Sequence, residues 1–204
     1  METFKLMKQS LFHPFDFFYD IQFNNRAKVR TALLLIALAC SARLISLMLS
    51  GFAFRTREAF QISVPLEIAW IIIPWLTWSV ANWAVSTIID GEGKFKDILV
   101  SSSYVFLPYI ILIIPISLIS NVLTLKELSI YAGVMSFIYL WMLYMLILQV
   151  KIVHDFELGK TIGITLLTIL AMIIIWFIVL LVFGLVSQSA QFLVDILKEI
   201  KYRS

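Results

Sequence analysis

Long apolar runs separated by short polar punctuation organise this chain. Five runs, over about residues 31–52, 66–89, 98–123, 128–150 and 161–186, each reach the roughly 20 residues that carry a helix across about 30 Å of hydrocarbon. Lipid offers a backbone no hydrogen bonds, so each run is predicted to be a helix that satisfies its own amides. The fold class that follows is all-α, a polytopic transmembrane helical bundle of five spans. Residues 31–187 form its membrane domain, between an N-terminal segment, 1–30, and a tail, 188–204.

The two ends differ from the runs. Residues 1–30 mix Lys5, Lys8, Arg26, Lys28 and Arg30 with Phe12, Phe15, Phe17, Phe18, Tyr19 and Phe23. Rings and basic groups together suit the headgroup layer, which predicts an interfacial element, its helix starting near His13-Pro14. In the tail, Phe192, Leu193, Ile196, Leu197 and Ile200 recur at helical spacing against Asp195, Lys198, Glu199 and Lys201. This is an amphipathic helix that either lies on the bilayer or extends the fifth span into water.

Composition narrows the picture further. The chain is 61% hydrophobic and 14% charged, whereas soluble domains carry about 25% charged residues. Its basic residues flank apolar runs and form no stripe with interleaved aromatics, which argues against nucleic-acid binding. Cys40 is the sole cysteine, so no intrachain disulfide or cysteine-rich metal site forms. It lies in mid-span behind Ala37-Leu38-Ala39 and reads as a small buried thiol rather than a lipidation site. No cleavable signal is expected ahead of the first run.

Five spans put the termini on opposite faces. With the N-terminus inside, Lys5, Lys8, Arg26, Lys28, Arg30, Lys94, Lys96, Lys151 and Lys160 face the cytoplasm, against Arg55, Arg57, Lys126, Lys198, Lys201 and Arg203 outside. The excess predicts a cytoplasmic N-terminus.

Within the spans, a few residues require partners. Arg43 lies near the middle of the first, where a charge costs from about 3 to well over 10 kcal/mol. Glu67 enters the second span from the far side, and the first hairpin can join the two. Trp75, Ser79, Asn82 and Ser86 share one face of the second span, predicted to look into the bundle. Pro74, Pro108 and Pro115 each remove a backbone hydrogen bond and predict kinks.

The polar connections hold the remaining candidates. Asp90, Gly91, Glu92, Gly93, Lys94, Phe95 and Lys96 link the second and third spans, with two glycines suited to a tight turn. His154-Asp155-Phe156-Glu157 links the fourth and fifth, and His13-Pro14-Phe15-Asp16 precedes the first. Neither an EF-hand nor a Walker loop is present, and the histidines lack a zinc-ligand spacing. No nucleophile–base set is evident. Catalytic residues, a metal and a cofactor are therefore not expected.

The leader His13-Pro14-Phe15-Asp16-Phe17-Phe18-Tyr19, the loop from Asp90 to Lys96 leading to Tyr104 and Pro108, and the five spans resemble the Yip1-domain family in its bacterial form, over roughly residues 10–187. The resemblance implies a multi-pass protein of a bacterial cytoplasmic membrane with its N-terminus inside. Eukaryotic members act in vesicle trafficking and contact Rab-type GTPases through an N-terminal region, which the short leader here does not supply. The expected function is that of a non-enzymatic scaffold or adaptor contacting the lipid bilayer and other membrane proteins, such as transporter subunits. The alternative is a permease or an accessory subunit of a transporter. Candidate positions are the loop Asp90, Gly91, Glu92, Gly93, Lys94 and Phe95, and the intramembrane Arg43, Glu67 and Asn82.

Overall fold

The computed structural model describes residues 8–9, 12–23, 28–55 and 58–203. Lys5, Arg26 and Arg57 lie outside them, as do the side chains of Phe23, Leu197, Ile200, Lys201 and Arg203. The described residues form helices and short 3-10 turns and no strand: α1 (Pro14–Phe23), α2 (Val29–Leu49), α3 (Val64–Ile88), α4 (Phe95–Tyr104), α5 (Leu107–Ile119), α6 (Leu128–Val153) and α7 (Leu158–Arg203). Among them are five stretches long and apolar enough to cross a membrane, with α4 and α5 sharing the third.

The third span is the hub. Its apolar window is 56% buried, more than that of any other span, and α2, α3 and α6 surround it. Ile98, Val100, Tyr104, Leu107 and Ile113 supply its large buried side chains. The helix breaks in its middle, at residues 105–106. Pro108 has no N–H for the carbonyl of Tyr104, so the α-helical ladder loses a rung there. Just before the break, the hydroxyls of Ser101, Ser102 and Ser103 donate to the carbonyls of Ile98, Leu99 and Val100 at 3.1, 3.1 and 2.6 Å. Val105 and Phe106 amides then reach Ser102 and Ser103 carbonyls at 3.3 Å, a tighter 3-10 pitch. Pro74 and Pro115 sit inside the unbroken helices α3 and α5, so only Pro108 interrupts a span.

The N-terminal helix is more than an interfacial element. Phe17 and Phe18 are fully buried, and the Phe17 ring lies 4.5 Å from that of Tyr104. Phe12, Phe15 and Tyr19 stay exposed. Thus α1 wedges one aromatic edge between α4 and α6 and presents the other to the headgroup layer.

On the opposite face the ends of α2 and α5 are clamped together. Gly51 N–H donates to Ser120 Oγ at 2.8 Å, and Asn121 Nδ2 donates to the Leu49 carbonyl at 2.7 Å. The fifth span and the tail are one helix, α7, so the tail extends the span rather than folding onto the bilayer.

Replacing Phe17 by alanine is expected to lower stability by about 3 kcal/mol, the usual cost of emptying a buried phenylalanine site. Denaturant unfolding in mixed micelles measures it; a loss below the scatter of surface variants would show that α1 is not part of the core.

Candidate functional site

Two polar constellations sit in the bundle, one at the N-terminal face and one toward the opposite face. The first centres on His154, the residue that ends α6, whose side chain is 1% exposed. Gly93 N–H donates to His154 Nδ1 at 3.3 Å. An accepting Nδ1 leaves Nε2 as the protonated nitrogen, and Nε2 lies 3.0 Å from Asn82 Oδ1. Asn82 Nδ2 donates to Thr168 Oγ1 at 3.3 Å, and Thr168 donates to the Ile164 carbonyl at 2.8 Å. One directional relay therefore runs from the loop through α6 and α3 into α7.

Apolar packing closes this relay from water. The Phe156 ring stacks on the imidazole at 5.4 Å with 14° between planes, and Lys160 Nζ stands 4.4 Å above Phe156 while donating to the Ile89 carbonyl at 3.0 Å. With no charge beside it to favour the imidazolium, burial alone pushes the His154 pKa down to about 4.

The loop glycines serve this imidazole. A Cβ on Gly91 would lie 2.7 Å from His154 Nδ1 and 3.0 Å from Ser86 Cβ; one on Gly93 would lie 2.7 Å from His154 Cε1 and 2.9 Å from Val153 Cγ1. Positive φ, the usual reason for glycine in a turn, occurs instead at Asp90 (57°) and Asp155 (53°), and at no described glycine. Each aspartate follows the end of a helix, and the next amide bonds back across it, Gly91 to the Ser86 carbonyl at 2.8 Å and Phe156 to the Lys151 carbonyl at 2.9 Å. These are paired left-handed caps with aspartate in the place glycine usually takes. The expectation that the glycines make the turn is thus corrected: the aspartates make it, and the glycines make room. Asp90, Glu92, Lys94 and Phe95 remain exposed, with the Phe95 ring 5.9 Å from Trp83.

The polar face of α3 continues this wiring toward the middle of the membrane. Trp75, Ser79, Asn82 and Ser86 are all buried. Trp75 Nε1 donates to Ser102 Oγ at 3.1 Å, and Ser79 Oγ lies 3.2 Å from the same hydroxyl. The serine run that precedes the break in the third span is therefore also its hydrogen-bonding surface toward α3.

The second constellation holds Arg43 and Glu67. Arg43 Nε donates to Glu67 Oε2 at 2.8 Å, with the carboxylate side chain 2% exposed and the guanidinium side chain 27% exposed. They line a recess of about 330 Å³ with Trp70, Tyr109, Tyr139 and Met142. Buried pairing removes much of the penalty of an intramembrane charge, and the partly open recess lets the other edge of the guanidinium keep polar surroundings. Among the described residues no three His, Cys, Asp or Glu side chains converge on a point, and His13 is exposed while His154 is buried.

The Yip1 domain family model matches residues 8–181, which takes in α1, all of the first four spans and the packed part of α7. The chain belongs to the Yip1 domain family. Among curated proteins and among solved structures none matches it. For this Yip1-domain chain the family match covers both constellations, and it stops within α7. His154 and Phe156 fall in a connection that the sequence marks as polar, but Thr168 is a member of the relay that residue patterns alone do not single out. Its signal is the set of threonines at 161, 165 and 168 on an otherwise apolar span.

Two outcomes test the inner site. Gly93→Ala is expected to cost about 1 to 3 kcal/mol, because the added methyl displaces the imidazole from its amide donor. For His154, a folded-state pKa of about 4 lies below the ordinary 6.5, so the unfolded chain takes up the proton first as pH falls. Stability is therefore full above pH 6.5 and declines between 6.5 and 4 by about 3 kcal/mol in the limit. Unfolding midpoints of wild type and His154→Asn from pH 8 to pH 4 separate this contribution from the carboxylates; parallel curves would remove His154 from the account.

Proposed function

We propose that this protein is a non-enzymatic membrane scaffold or adaptor, seated with its N-terminal face toward the cytoplasm of a bacterial cell, and that it acts through contacts of its helices with lipids and other membrane proteins. The observation that carries this reading is the contrast between interior and exterior. Polar side chains of α3 are tied to α4, α6 and α7 by hydrogen bonds. By contrast α7, the most apolar of the spans, has none of its apolar window buried. A helix with that much uncovered surface in the bilayer is suited to lateral contact, since neighbouring lipid and neighbouring helix compete for it on nearly equal terms. The charge excess on the N-terminal face supports the orientation.

The recess at Arg43 favours a second reading, a permease or an accessory subunit of a transporter, in which the guanidinium meets a solute. One experiment separates the two. A photo-crosslinking residue at Phe177 or Leu181, both exposed on α7, is expected to give an adduct with a discrete membrane protein. That adduct, and the uptake of solutes by the cells, are expected to persist in Arg43→Ala. Loss of uptake of a solute in an Arg43→Ala protein that still inserts, with no adduct from α7, would replace the scaffold with the permease.

A further inference from the structure

The apolar stripe of α7 does not end where the bundle ends. Helices α3 and α7 run antiparallel, with Asn82 bonded to Thr168 and Trp176 Nε1 donating to Thr77 Oγ1 at 3.2 Å. At about 1.5 Å per residue this pairing sets Val64, the first residue of α3, level with Ser187 to Ser189 on α7. The rest of α7, to Arg203, stands roughly 20 Å clear of the bundle. Ser187, Gln188, Ser189 and Gln191 mark the change from lipid to water. Past them Phe192, Leu193 and Ile196 are 64%, 61% and 37% exposed.

The spacing of that stripe is specific. Val182, Val186, Ser189, Leu193, Ile196 and Ile200 follow one another at steps of four, three, four, three and four residues. This is the spacing that the seam of a left-handed coiled coil uses, here over a little under three heptads, with Phe192 at a flanking position. Asp195 and Lys198 fall on the opposite side and pair with each other at 3.5 Å.

We propose that the projecting end of α7 forms a parallel two-stranded coiled coil with α7 of a second copy of this chain, so that the protein is a homodimer joined on the face opposite its N-terminus. Three arguments select a second copy. Membrane insertion holds two copies parallel and at one depth, so identical seam positions meet in register without a search, under a twofold axis along the membrane normal. Confinement to one bilayer raises the effective concentration of the two helices, which compensates for a short seam. The charges of the projecting end, Asp195 and Glu199 against Lys198, Lys201 and Arg203, nearly balance, so two copies approach with little repulsion. A helix of this length standing alone in water is marginal, and packing along the seam supplies what it lacks. The inference is independent of the scaffold reading, because a permease can assemble the same way.

Single cysteines test it in the full-length Cys40→Ala chain in native membranes. Oxidation is expected to give a species of twice the 23.5 kDa chain from Ser189→Cys and Ile196→Cys on the seam, and none from Gln191→Cys and Lys198→Cys on the outer side. Equal cross-linking at all four sites, none at any, or adducts of another mass would overturn the proposal. In nanodiscs, the double variant Leu193→Asp, Ile196→Asp is expected to shift the mass by light scattering from two copies to one with insertion retained. Two copies surviving in that variant would place the contact elsewhere and overturn it as well.

Discussion

Hydrogen bonds between helices decide how this bundle is arranged, because in lipid apolar contact discriminates little. A leucine face gains about as much from acyl chains as from another helix, so hydrophobicity brings spans into the bilayer without telling them whom to meet. The polar face of α3 supplies that information. Asn82 names α7 through Thr168 and the end of α6 through His154, while Trp75 and Ser79 name α4 through Ser102. The third span sits at the centre because it offers hydroxyls at mid-membrane and can break there, with its own serines bonded to carbonyls of the turn before the break.

Hydropathy alone makes the five spans legible, since the length of an apolar run is a direct reading of bilayer thickness. Pairing of Arg43 with Glu67 and the inward face of α3 are legible for the same reason: each is expensive in lipid unless partnered, and few partners are on offer. What the sequence leaves dark are features set by distance between segments. Nothing local says that Gly91 and Gly93 touch a histidine some 60 residues on, or that two aspartates take the left-handed caps. Phe17 and Phe18 belong to an aromatic cluster that composition assigns to the headgroups as a whole, and only the docking of α1 onto α4 and α6 divides the cluster into buried and exposed rings. The prolines look alike in sequence, yet only the one beside a serine run breaks its helix.

The two constellations differ in what they permit. Around His154 both ring nitrogens have partners, the ring stack covers the imidazole, and added atoms collide, so the site holds segments together. Around Arg43 the carboxylate is buried but the cation keeps an open side facing tyrosines and a tryptophan. Close packing therefore lies at the His154 end of this Yip1-domain protein and open volume at the Arg43 end.

The same reasoning separates the two stretches of α7. Inside the bilayer its uncovered residues, Ile173, Phe177 and Leu181 among them, are already solvated by acyl chains, so exposure there permits a partner without requiring one. Beyond the polar run Ser187 to Gln191 the helix outruns the bilayer that the apolar length predicts, and in water each buried Leu, Ile or Phe side chain is worth roughly 1.5 to 3 kcal/mol relative to leaving it exposed. Leu193, Ile196 and Phe192 therefore carry a driving force for association that their neighbours a few turns earlier lack. The pressure to associate is concentrated in the part of α7 that the bundle does not reach, where a partner must match a seam rather than merely replace lipid.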